Sequence, residues 1–119
     1  MTTMDLEVSV GEDFYAKLYL RSGQNKSAYN LANAVVFGGV KALYNDPEQV
    51  FSFETEVIDS ANGLVAIKAP RAAVFRLQQF APRADAKTGK FFYDVCLREA
   101  SGSVKRILGG TLVANFAAQ

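Results

Sequence analysis

The chain contains no histidine. That one absence removes the commonest general base, the commonest zinc ligand and every nucleophile activated by an imidazole. Tryptophan is missing too, so a sugar-binding surface would have to rely on tyrosine and phenylalanine for its stacking platform. The single cysteine, Cys96, leaves no partner for a disulfide within the chain, and its place inside a strand pattern marks it as a small hydrophobe. No apolar run approaches the roughly 20 residues that a membrane helix needs. The opening Met-Thr-Thr-Met-Asp-Leu-Glu has neither the basic end nor the apolar stretch of a secretory signal, so synthesis inside the cell is expected. Glu54 and Glu56 could be imagined as a catalytic carboxylate pair, two apart on one strand face, but nothing beside them in sequence would separate their pKa values. They read as a solvated face. No enzyme, cofactor or metal is expected. The bases Lys105 and Arg106, and those from Arg83 to Lys90, are sparse and without a recognisable nucleic-acid-binding motif, so no nucleic acid is expected either.

What is present is β-sheet chemistry. The 119 residues, 50% apolar and 21% charged, are enough for one domain spanning 1–119 that buries its own core. Charge is uneven along the chain: up to Asp59 there are nine acids against four bases, and after it nine bases against three acids. Strands that interleave in space would mix the two signs, whereas segregation would support head-to-tail contact between copies.

Alternation of apolar and polar residues predicts a first strand at 5–10, with Leu6, Val8 and Val10 inward, and a second at 14–21, with Phe14, Ala16, Leu18 and Leu20 inward. Between Ser22 and Ser27 lies a polar turn cluster, followed by the apolar anchors Tyr29 and Leu31. Both faces are apolar over 35–44, which predicts a central strand with a bulge or close approach at Gly38-Gly39. After a turn at 45–48, residues 50–59 predict one strand with Phe51, Phe53, Thr55 and Val57 inward. Asn62-Gly63 predicts a tight hairpin with positive φ at both residues, returning through a strand at 64–69. Ala73, Val74, Leu77 and Phe80 then recur at helical spacing behind Pro70, predicting one short helix near 71–79 with proline in its first turn. The stretch 81–90 reads as an exposed basic loop. Residues 89–119 predict a long hairpin around Ser101-Gly102-Ser103. Its inward residues are Phe91, Tyr93, Val95 and Leu97 on one arm, and Val104, Leu108, Leu112, Ala114 and Phe116 on the other. The first arm is expected to pack on Phe14, Leu18, Phe51 and Phe53 of the opposite sheet. Seven to eight strands and one helix, without β-α-β alternation, describe an all-β antiparallel sandwich.

The order of these elements resembles the small immunoglobulin-like domains of tailed bacteriophages, found at the amino terminus of siphophage upper baseplate proteins and as stand-alone virion proteins. The resemblance rests on Gly-Glu-Asp-Phe at Gly11 to Phe14, a Tyr-Asn-Leu segment, Asp-Ser-Ala-Asn-Gly at Asp59 to Gly63, and Phe92-Tyr93-Asp94-Val95. It continues through Ser101-Gly102, Arg106-Ile107-Leu108 and Gly110-Thr111-Leu112-Val113. Departures are a longer 81–90 stretch and Gly109 where such domains often carry a charge. The resemblance implies an immunoglobulin-like sandwich acting as a virion structural protein in the tail or baseplate, or as a fibre attachment. Capsid decoration is the alternative, and a carbohydrate-binding module using Tyr15, Tyr19 and Phe92 a second one. Its partners would be other virion proteins or further copies of itself, with neither membrane nor nucleic acid. Candidate docking residues are the aromatic-basic series Tyr15, Lys17, Tyr19 and Arg21 on the second strand, and Arg83, Lys87 and Lys90 in the basic loop.

Overall fold

Two long strands set the shape of the molecule. Residues 2–21, 31, 33–43, 47–83 and 85–116 are described by the computed structural model. The described residues form nine strands, which we number β1 (Thr2–Thr3), β2 (Leu6–Ser9), β3 (Phe14–Tyr19), β4 (Val35–Lys41), β5 (Phe51–Ser52), β6 (Glu54–Asp59), β7 (Leu64–Ala69), β8 (Thr88–Arg98) and β9 (Val104–Asn115). At about 3.3 Å per residue, the 11 and 12 residues of β8 and β9 account for most of the 45 Å long axis. Their turn is closed by Glu99 N–H donating to the Ser103 carbonyl at 2.8 Å and by Gly102, whose φ of 95° suits glycine.

The inward residues Phe91, Tyr93, Val95 and Leu97 are all buried, as the alternation predicts. The other arm differs in one place. Val95 pairs with Leu108 but Cys96 pairs with Arg106, so Ile107 is an extra residue, and a β-bulge there shifts the register. Below the bulge the faces exchange: Ile107 is buried, while Val104 is 55% exposed on the outer side.

Around the hairpin, β4 joins β8 antiparallel and β5 joins β4, whereas β1 and β2 lie parallel to β9. This corrects the expectation of a wholly antiparallel sandwich. The strand count also exceeds seven to eight because β1 and β5 are two-residue pairings too short to register in a periodicity. The second sheet has three strands in the order β3-β7-β6. Residues 50–59, predicted as one strand, are divided between the sheets: Phe51 belongs to the larger one and Glu54 onward to the smaller. Phe51 therefore does not face β8 from across the core. Phe53 stands at the crossing and does, with its ring 6.4 Å from that of Tyr93 and 6.0 Å from that of Phe14. The crossing is tied by the Thr55 hydroxyl, which donates to the Val36 carbonyl at 2.8 Å. Val57, expected inward, is 41% exposed, because β6 is an edge strand whose register breaks beside it.

At Gly38 the predicted close approach is present and the bulge is not, for β4 pairs with β8 in unbroken register. A Cβ on Gly38 would run into the Asp94 backbone carbonyl. The β6–β7 hairpin forms, but only Gly63 has positive φ. The Asp59 carboxylate accepts from both the backbone N–H and the side-chain amide of Asn62, holding a four-residue turn in place of the two-residue one. The helical stretch is α1 (Arg71–Phe75) followed by a 3-10 turn (Arg76–Phe80). Pro70 precedes the helix as its cap, and Val74 and Leu77 are fully buried. Phe80 is 46% exposed, its ring meeting Phe91 edge-on at 6.3 Å. The predicted turns at 22–27 and 45–46, and Tyr29, lie outside the described residues, while Leu31 is buried. The molecule is thus an all-β sandwich with an apolar core, and no polar side chain is buried among the described residues.

Candidate surface site on the larger sheet

Strand alternation sends every second residue of β4, β8 and β9 away from the core. The pairing places these outward residues in rows: Lys41, Phe92 and Thr111; then Gly39, Asp94 and Gly109; then Phe37, Cys96 and Arg106; then Val35, Arg98 and Val104. A recess of about 210 Å³ opens among the first three rows, walled by Lys41, Phe92, Arg106 and Thr111. Its floor is low because glycines flank Asp94 on both neighbouring strands, and on the β4 side the Gln49 side chain lies over Gly39 where a side chain of that position would stand.

The charges here are unbalanced. Lys41, Lys90, Arg98 and Arg106 stand against Asp94, interspersed with half-buried Phe37, Phe92 and Cys96 and exposed Val35 and Val104. The Arg98 guanidinium lies 5.5 Å from the centre of the Phe37 ring, an apolar contact for a cation that still reaches water. Burial pushes the Cys96 thiol pKa up, Asp94 adds to the rise, and Arg106 and Lys41 oppose it. At the rim, the Tyr93 hydroxyl donates to the Met4 carbonyl and fastens the N-terminal strands to the sheet. Its pKa is pushed up to about 12, by burial first and then by Asp5.

The smaller sheet presents a different surface. Its outer rows run Tyr15, Lys68, Glu54 and Lys17, Ala66, Glu56, with Tyr19 at the next position of β3. Lys68 pairs with Glu56 at 3.3 Å, and the Arg21 guanidinium lies 5.1 Å from the centre of the Tyr19 ring. Acids from the first half of the sequence thus meet a base from the second, so the two signs mix on this face.

Of the candidate docking residues, Tyr15, Lys17 and Tyr19 share one exposed strand face with Arg21 at its end. The basic loop does not join them. Arg83 pairs with Asp85 at 2.9 Å, Lys87 is exposed, and Lys90 belongs to the outer face of the larger sheet beside a shallow hollow lined by Leu43, Phe80 and Pro82. Lys41, Asp94 and Arg106 were not among the candidate docking residues, although β8 carries their signal. It is apolar on both parities at Phe91-Phe92 and Val95-Cys96-Leu97, as a strand covered on both faces would be. Among the described residues, no group of three or more acidic or cysteine side chains is placed to hold a metal ion. In comparison with known proteins, no family model matches the chain and no curated protein matches it.

Proposed function

We propose that the protein is a non-enzymatic structural part that works by docking neighbouring proteins, built as an immunoglobulin-like sandwich and serving in a bacteriophage tail or baseplate. Two features support the immunoglobulin-like reading. The three-strand order β3-β7-β6 faces a sheet built on the β8–β9 hairpin, and an N-terminal strand runs parallel beside the last one. The sequence resemblance supplies the phage context. The observation that carries the docking reading is the outer face of the larger sheet, where apolar side chains, four bases and a glycine-floored recess share one surface. Interfaces are rich in such aromatic and arginine mixtures.

Quantifying the protein in purified virions tests this. A low, fixed copy number relative to the major capsid protein supports a tail component; equality with the capsid protein supports capsid decoration instead; absence from particles refutes both. Phe92 beside Asp94 and Thr111 also favours a second reading, a carbohydrate site, since an aromatic ring with flanking polar groups suits a sugar. Binding on a glycan array that is lost in Phe92→Ala would establish it.

A further inference from the structure

β3 presents its backbone as well as its side chains. It pairs with β7 on one side, and no described strand pairs with the other, because β2, which precedes it, has crossed to β9 in the opposite sheet. The pairing parity can be read from one bond: Leu20 N–H donates to the Gly63 carbonyl at 2.8 Å. Alternation then assigns the hydrogen-bonded positions to Phe14, Ala16 and Leu18, and turns the N–H and C=O groups of Tyr15, Lys17 and Tyr19 toward the open side. The remaining edges are blunted by the usual means. β1 and β5 have two residues each, β2 has four, and β6 carries a register break. Among the described strands, only β3 combines six residues with an unbroken register and a side that no described strand pairs.

We infer that the β3 edge is a strand-addition site that receives an extended segment of a partner protein carrying an acidic residue opposite Lys17. This rests on the docking reading above and names the surface it would use. Main-chain bonding to the three free positions supplies affinity, and alternate side chains supply selectivity. On the outer side the incoming strand meets Tyr15, 53% exposed, Lys17, and Tyr19, 59% exposed. β3 contains no acid, and Arg21 follows it, so the added strand is matched by a carboxylate at its centre. On the inner side Phe14 and Ala16 are only half-buried, and apolar residues of the added strand would complete their cover. A second copy is the poorer occupant. A two-fold axis at this edge produces antiparallel pairing, and the register that uses all three open positions, with Tyr15 opposite Tyr19, sets Lys17 against its own counterpart.

The test uses the purified full chain and two capped peptides of alternating valine and threonine, one with a central glutamate and one with a central lysine, followed by backbone-amide NMR. The glutamate peptide should bind, shift the Tyr15, Lys17 and Tyr19 amides and slow their hydrogen exchange. Lys17→Glu should reverse the preference by roughly tenfold in favour of the lysine peptide. Lys17→Pro should abolish binding while leaving the fold intact, because that N–H makes no bond within the sheet. Three results would overturn the proposal: the three amides already protected in the free protein, peptide shifts mapping elsewhere, or a concentration-dependent dimer that alone protects them. None of these would alter the virion copy number, so a failure here is distinct from a failure of the docking reading.

Discussion

The two sheets expose opposite kinds of surface. The larger sheet has blunt edges, two-residue or four-residue strands at its borders, and an outer face on which apolar side chains and unbalanced positive charge gather around a recess. The smaller sheet has an outer face on which bases and acids mix, with Lys68 paired to Glu56, and a six-residue edge strand that no described strand pairs on its far side. One sheet offers side chains and the other offers main chain. A part that joins two neighbours gains from the difference, since a segment suited to one surface has no chemistry for the other.

The largest effect expected from a single change is at Gly38. Gly38→Val drives a side chain into the β8 backbone at Asp94, where neither strand can yield, and should cost about 3 kcal/mol or prevent folding. A chemical melt that left Gly38→Val as stable as the parent would remove the structural basis of the larger sheet's face. Next come paired prolines in β3. Ala16→Pro loses a ladder bond and should cost about 3 kcal/mol, whereas Lys17→Pro loses none and should cost about 1 kcal/mol or less. Equal costs in urea titrations would mean that both sides of β3 are bonded.

Smaller again is Tyr93→Phe, which removes the bond to the Met4 carbonyl and should cost about 1 kcal/mol at neutral pH. Its pH dependence follows from the raised pKa. The ordinary value is 10 and the folded value about 12, so the stabilisation is fully present below pH 10 and is lost as pH rises toward 12. The parent should therefore weaken across that window and Tyr93→Phe should lack this component, as thermal melts at several pH values would show. Least of all is Asp94→Asn. Removing that charge lowers the Cys96 pKa, so alkylation of the thiol near pH 8 should run a few-fold faster, with stability almost unchanged. Slower alkylation would mean that Asp94 does not act on Cys96 along the outer face of β8.

Much of this was legible in the residues. The alternation of β2, β3 and β8, the Asn62-Gly63 turn that leads into β7, the short helix behind Pro70 and the close approach at Gly38 all follow from local pattern, because each is decided by neighbouring residues. What eluded the pattern depends on partners distant in sequence. The parallel pairing of β2 with β9, the division of 50–59 between sheets, and the insertion of Ile107 that turns Val104 outward leave no local periodicity to read. The surface shows the same division. Tyr15, Lys17 and Tyr19 were evident because they sit on one strand, while Lys41, Asp94 and Arg106 come together from three strands and needed the register to be seen as neighbours.

Amide hydrogen exchange in the isolated protein tests the contrast between the sheets most directly. Within β3, the amides of Ala16 and Leu18 should be protected together with Leu20, and those of Tyr15, Lys17 and Tyr19 should exchange freely, while successive amides through the middle of β8, bonded on both sides, should all be protected. Uniform protection along β3, or alternating protection along the middle of β8, would contradict the account.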